Sequence, residues 1–249
     1  MIVLKLPDEI KKARMSSRIV AEVLDTLRKL VRPGVKTIEL NRIAEQITAK
    51  RGAKPAFKGY HGYPYALCTS VNEEVVHGMP SERVLQEGDI IGLDYGVYYQ
   101  DYYGDAAITV PVGKVNEEVR RLMKVTEQSL YDAIAQTTAG NRLGDISAAV
   151  QMRAEQAGFS VVRDFVGHGI GKNLHEEPQI PNFGKKGRGV ELKVGMIFAI
   201  EPMVNMGSYK VKVLPDGWTV VTEDNGFSAH FEHSVAITDN GPDILSKLN

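Results

Sequence analysis

Cysteine is nearly absent, with Cys68 the only one in 249 residues. A lone thiol excludes a disulfide framework and a cysteine-rich zinc module, and it fits a reducing compartment. Charge of one sign is not in excess either. Lys and Arg number 30 against 31 Asp and Glu, a formal net charge of −1, so no global field recruits nucleic acid or anionic lipid. The longest basic cluster, Lys185-Lys186-Gly187-Arg188, reads as a solvated loop. No apolar stretch approaches the roughly 20 residues of a membrane helix. The opening Met1-Ile2-Val3-Leu4-Lys5-Leu6-Pro7 lacks the basic region and long apolar run of a secretory signal. A cytoplasmic chain is expected, without nucleic-acid or membrane partners. It is long enough to bury a substantial core.

What is present is organised twice. Ile10, Met15, Ile19, Val23, Leu27 and Leu30 recur mostly at a spacing of four and form one apolar helix face, stopped by Arg32-Pro33-Gly34. A second helix is predicted from about Thr37, with Leu40, Ile43, Ala44 and Ile47 inward and Gly52 beyond its end. Strand-like runs follow at 90–98 and 102–112. Shifted by 106 residues, Gly34 falls on Gly140, Glu39 on Asp145, Leu40 on Ile146 and Gly52 on Gly158, and 142–157 again reads as a helix. With one more inserted residue, the segment from Leu85 to Asp94 lies over Leu192 to Glu201. Both read Leu-x-x-Gly-x-Ile, then apolar residues, then a carboxylate. Matches in one order at nearly one offset predict internal duplication into two pseudo-symmetric halves. The expected class is α+β, an antiparallel sheet covered by helices.

The carboxylates of those strands pose an electrostatic problem. Asp94 and Asp105 flank Tyr98-Tyr99-Gln100-Asp101, a natural hairpin turn. A turn centred between Tyr99 and Gln100 would set the two aspartates directly opposite on one face. At that separation of about 4.5–5.5 Å like charges repel, so the pair needs a shared proton or a cation. Duplication places Glu201 where Asp94 stands in the first half. A strand predicted at 227–238 puts His230, Glu232 and Ser234 on one face. With His168 as a nitrogen donor in Gly167-His168-Gly169-Ile170-Gly171, the candidate metal ligands are Asp94, Asp105, His168, Glu201 and Glu232. Four negative charges match two divalent ions, and the oxygen-rich set favours manganese, iron(II), cobalt or magnesium, with zinc possible.

The other histidines divide. His77 in Val76-His77-Gly78 and His175 in Leu174-His175-Glu176-Glu177-Pro178 read equally as substrate donors or as turn residues. His61 and His233 read as structural, with His233 pointing away from the Glu232 face. Gly169-Ile170-Gly171-Lys172 lacks the first glycine and the Ser/Thr of a phosphate loop. No His-Glu-x-x-His and no Gly-x-Ser-x-Gly is present. On its own, Cys68 reads as a small buried apolar residue.

Several segments closely resemble the type I methionine aminopeptidases. They are Gly59-Tyr60-His61-Gly62-Tyr63-Pro64, Asn72-Glu73-Glu74-Val75-Val76-His77-Gly78, Tyr103-Gly104-Asp105, Gly167-His168-Gly169-Ile170-Gly171, His175-Glu176-Glu177-Pro178, Ile200-Glu201-Pro202-Met203 and Phe231-Glu232-His233. They occur in family order over essentially the whole chain. The ligand set is shared with prolidase-like relatives, whereas the tyrosine loop and the short chain point to the methionine enzymes.

The resemblance implies the pita-bread fold as a single domain, 1–249, with halves at roughly 8–113 and 114–240. It implies two divalent ions, Asp105 and Glu232 bridging them, Asp94 chelating one, and His168 with Glu201 holding the other. The implied activity is removal of the initiator methionine from nascent proteins when the second residue is small. Water activated by the ions would attack the scissile carbonyl, with Glu201 as proton shuttle. Catalytic roles then fall to His77, His175 and Glu201, and His77 and His175 also contact substrate. Tyr60, Tyr63, Cys68 and Trp218 would line the methionine pocket, where aromatic and sulfur groups suit a thioether. Phe57, Leu174 and His230 depart from the residues common in the family, and His230 is placed to tune metal affinity. Nascent N-termini are the expected partners, the ribosome is a candidate partner, and a monomer is expected. Because residue 2 is Ile, the chain should keep its own Met1. The rival readings are a proline-directed aminopeptidase or prolidase relative, against which stand the roughly 9 residues before the first helix, and a non-catalytic peptide-binding protein of the same fold.

Overall fold

A computed structural model describes residues 2–248. Met1, whose retention is expected, and Asn249, the end of the expected domain, lie outside the described residues. Helices α1 (Pro7–Leu30) and α2 (Thr37–Lys50) cover the first half, and α3 (Glu117–Gln136) and α4 (Leu143–Gln156) the second. In α1 the predicted face is buried at Ile19, Val23 and Leu27, whereas Met15 and Leu30, expected inward, are exposed, and Val20 and Leu24 complete the buried stripe instead. Leu24, Leu27, Leu40 and Ala44 pack on Leu67, Ile91, Leu93 and Tyr95. Leu122, Leu130, Ile146 and Val150 pack on Phe198, Ile200 and Val235. The helices lie on one side of a nine-stranded antiparallel sheet, leaving its other side for the site.

The main path of that sheet runs 54–55, 90–99, 102–111, 232–238, 197–200, 167–169 and 176–180, with 67–71 added to the 90–99 strand and 241–244 to the 232–238 strand. Within the main sheet the halves join where 102–111 meets 232–238, at Glu232↔Ala107 and His233↔Ala106, and a small second sheet also joins them at Val220↔Val76 and Val221↔Glu74. Hydrogen bonds repeat along with the sequence. The Gly34 N–H donates to Leu85 O at 2.9 Å, and the Gly140 N–H to Leu192 O at 3.0 Å. Leu85 N–H returns a bond to Val35 O at 2.9 Å, and Leu192 N–H to Asn141 O at 2.8 Å.

Two expectations need correction. The hairpin turns at Gln100-Asp101, with Tyr99 opposite Tyr102, so Asp94 faces Ala107 and Asp105 faces Gly96. Gln100 and Asp101 both have positive φ, 49° and 67°, the two-residue loop geometry that matches strand twist. The shift is two residues, so the aspartates still share a face, diagonally placed. The strand expected at 227–238 is broken at Phe231: Ser228–His230 pairs with Met203–Asn205 in a separate small sheet, and Glu232–Thr238 joins the main one. Among the described residues, no helix is long and apolar enough to cross a membrane.

Candidate metal centre

The seam strands 102–111 and 232–238 carry Asp105 and Glu232, and their outer neighbours carry Asp94 and, just past the strand end, Glu201. His168 comes from the 167–169 strand, opposite Ala199. Its flanking Gly167 is required, since a Cβ there would lie 2.4 Å from Ala199 O. The His168 Nδ1 lies 2.9 Å from Gly169 O, a bond to which only Nδ1–H contributes a proton, so Nε2 is left as a free donor pair. That Nε2 is 3.7 Å from Glu201 Oε1. Candidate ligand atoms of Asp105, His168 and Glu232 lie within 4.8 Å of one another. The structure thus brings together all five predicted donors around one cavity.

The charge here is uncompensated by protein. The cavity, about 240 Å³, is lined by Phe57, Tyr60, His61, Tyr63, Cys68, His77, Leu174, His175 and Trp218 besides the five donors, with no lysine or arginine among them. Asp94 Oδ1, Asp105 Oδ1 and Glu232 Oε1 are buried without a hydrogen-bond partner. Burial pushes the Asp94 carboxyl up to about 7. Burial first, and then the neighbouring carboxylates, raise Asp105, Glu201 and Glu232 well above the carboxylate range. Such a cluster is either protonated or neutralised by a bound cation. Converging oxygens and one imidazole with a free nitrogen fit a divalent ion.

The substrate side is apolar and aromatic. Trp218 packs edge-on to Tyr63 (ring centroids 5.1 Å apart) and to His77 (6.4 Å). Cys68 is buried opposite Asp94 in the 67–71 strand, and its thiol is pushed up, first by burial and then by Asp94. His77 holds a left-handed backbone at φ 60°, and burial brings its imidazole down to about 4. Its place in the cavity wall joins the two readings of it, as turn residue and as pocket group. His175 Nδ1 lies 2.6 Å from Tyr60 Oη, and its ring is 4.2 Å from that of His168.

His61, read as structural, instead lines the cavity, stacked edge-on to Tyr60 at 4.3 Å. His233 does turn away, bonding Ser246 Oγ at 2.9 Å on the other side of the sheet. His230 Nε2 is buried, unpartnered and 3.7 Å from Glu201 Oε2. Phe165, edge-on to His77 at 5.6 Å, was not singled out from sequence, where nothing separates it from ordinary core.

The model of metallopeptidase family M24 matches residues 11–239. The chain belongs to this family. Among M24 relatives, the methionine aminopeptidase of Clostridium perfringens is 52% identical over 248 residues, covering 100% of both chains. The crystal structure of methionine aminopeptidase from Thermotoga maritima superposes with a TM-score of 0.98 at 49% identity, again over 100% of both. The full-length superposition on the Thermotoga structure bears out the pita-bread fold implied by the sequence motifs. The prolidase of Pyrococcus furiosus shares the fold alone, with a TM-score of 0.81 at 22% identity, and this chain covers 66% of its length.

Proposed function

We propose that this M24 chain is a methionine aminopeptidase that removes the initiator methionine from nascent proteins whose second residue is small. One observation carries the metal dependence of this reading: four buried or half-buried carboxylates converge on a cavity lined by no lysine or arginine. The full-length likeness to methionine aminopeptidases supports the substrate.

In this reading two divalent ions, such as cobalt, manganese, iron(II) or zinc, are held by Asp94, Asp105, His168, Glu201 and Glu232. Asp105 and Glu232 lie at the seam between halves, so residues of both halves would hold the ions. Bound there, the ions supply Lewis acidity that lowers the pKa of water and polarises a carbonyl. Glu201, at the cavity wall 3.7 Å from His168 Nε2, would accept the water proton and pass it to the leaving amine. His175 is kept neutral by burial and is fixed through Nδ1 by Tyr60, so its other nitrogen serves the scissile group. His77 binds the leaving-side peptide nitrogen. Tyr60, Tyr63, Cys68 and Trp218 receive the methionine side chain on the aromatic side of the cavity.

Both halves contribute ligands, so 1–249 works as one catalytic domain built from repeats at about 8–113 and 114–240. The same reading places the enzyme in the cytoplasm as a monomer that meets nascent chains near the ribosome. The test is to incubate metal-free protein with manganese, cobalt, iron(II) or zinc and follow Met-Ala-Ser, Met-Leu-Ser, Leu-Ala-Ser and Ala-Pro-Ser by mass spectrometry. Metal-dependent loss of Met from Met-Ala-Ser alone is expected, with none from Glu201→Ala protein. Cleavage of Ala-Pro-Ser would move the assignment to the proline-directed enzymes. Bound metal without any cleavage would leave a peptide-binding protein.

A further inference from the structure

The N-terminal segment before α1 is largely exposed, with Leu6 67% accessible, yet Lys5 turns inward and its side chain is only 4% accessible. A lysine is almost never buried without a partner. Here Nζ donates to Glu176 Oε2 at 2.5 Å and to Val3 O at 3.0 Å. The Glu176 side chain is itself 10% accessible, and its Oε1 accepts the Asn173 N–H at 3.2 Å. The pair is therefore an enclosed ion pair reaching from residue 5 to the loop at 171–176. Surface pairs hold little geometry, whereas an enclosed one leaves a bare charge when either partner is lost.

The packing around this pair is tight. A Cβ on Gly171 would lie 2.5 Å from Lys5 Cε and 2.7 Å from Glu176 Oε1. The Lys5 N–H donates to Gly195 O at 2.7 Å, which fixes the segment on the turn preceding the strand that leads to Glu201. On the inner side, the same short loop delivers Leu174 and His175 to the cavity wall. Glu176 is the chain neighbour of His175 and opens the 176–180 strand, where it stands opposite Gly169, next to His168.

We infer that Lys5 and Glu176 are positioning residues: their ion pair clamps the 171–176 loop so that Leu174 and His175 meet the substrate in register with the metal donors. The inference rests on the reading of His175 as a substrate-facing group. Neither residue touches the cavity; the anchor acts through its neighbour.

The experiment compares Lys5→Met, Lys5→Arg and Glu176→Gln with wild type and with His175→Ala. All are assayed on Met-Ala-Ser after manganese loading, per mole of folded protein. Manganese affinity by titration calorimetry and amide exchange of 171–176 are followed alongside. Lys5→Met and Glu176→Gln should each lower kcat at least tenfold with KM changed less than threefold. Manganese affinity should stay within twofold, exchange of 171–176 should rise, and Lys5→Arg should recover most of the lost kcat. If Lys5→Met does not fold, Glu176→Gln, which keeps the shape, decides alone. A kcat within twofold of wild type in these variants, while His175→Ala is crippled, overturns the inference and leaves a brace that serves stability only. If His175→Ala is fully active, the reading of His175 is what fails. Exchange of 171–176 then judges the anchor, and unchanged exchange rejects it.

Discussion

Ser234 closes the seam between the two halves directly behind Asp105, a proposed metal ligand: its Oγ donates to the Asp105 carbonyl at 2.7 Å and accepts the Asp105 N–H at 3.0 Å. Only two residue pairs join the 102–111 and 232–238 strands, so this side chain supplies bonds that the short ladder omits. Ser234→Ala leaves a buried N–H and a buried carbonyl unpaired. The expected cost is about 1–3 kcal/mol. Each kcal/mol appears as a fall of about 2–4 °C in Tm for a chain of this size. Manganese should also bind more weakly, because the Asp105 backbone loses its tether. Calorimetric melting with and without metal checks both, and an unchanged Tm would remove Ser234 from the account.

Neutralising a donor should affect the metal-free and metal-loaded proteins in opposite directions. Asp105 and Glu232 are buried among like charges with orphaned oxygens. Removing one charge from such a cluster relieves repulsion and desolvation, while an ion bound to the folded state adds stability by mass action. Asp105→Asn and Glu232→Gln should therefore melt at or above wild type in chelator, and should lose most of the rise in Tm that manganese gives wild type. Variants less stable than wild type in chelator would show that the carboxylates are already compensated by the protein.

The parts of this fold that could be read in sequence are those governed by periodicity. Helix α1 ends before Pro33, α2 starts at Thr37, and α4 repeats α2, because an apolar stripe and a glycine stop are local signals. That the acids of these strands come together around one cavity is legible for a different reason: acids on apolar strands demand a counter-charge wherever those strands meet. The hairpin register was not, since Gln100-Asp101 lacks the Asn-Gly or Asp-Gly pair that marks a two-residue turn. Nor was the break at Phe231, because inward residues alternate straight through it while the strand passes from one sheet to another. That His61 also lines the cavity is not legible, since it depends on the Tyr60–Gly62 turn, a tertiary detail.

The start of α4 gives a pH signature away from the metal centre. Asp145 Oδ2 accepts the Arg142 N–H at 2.7 Å, and Oδ1 the Gly187 N–H at 2.8 Å. These two bonds, the Arg142 one first, hold its carboxyl below the usual aspartate range. A folded pKa below the unfolded one means that the unfolded chain takes up the proton first as pH falls. The stabilisation is complete above about pH 4, the unfolded value. It is lost as pH falls through the lower folded value. Asp145→Asn should cost about 1–2 kcal/mol at pH 7, as for a lost helix cap. Urea unfolding at pH 7, 5 and 3 should show the gap to wild type shrinking only at pH 3. A gap independent of pH would assign it to packing.

Tyr60 offers a way to separate binding from chemistry. Its phenol reaches His175 Nδ1 at 2.6 Å, and burial raises its pKa, so it keeps its proton. Tyr60→Phe keeps the aromatic ring in the proposed methionine pocket but frees the imidazole to rotate. A neutral hydrogen bond is worth about 0.5–1.5 kcal/mol. Concentrated in the transition state, that loss lowers kcat by up to about tenfold and leaves KM nearly constant. Trp218→Ala should do the converse, because in the proposed reading this cavity-lining ring grips the methionine side chain in ground and transition states alike. KM for Met-Ala-Ser should rise while kcat holds. Steady-state kinetics on the two variants gives the comparison. If Tyr60→Phe raised KM alone, the tyrosine would be a pocket wall only, and His175 would owe its orientation to the loop that carries it.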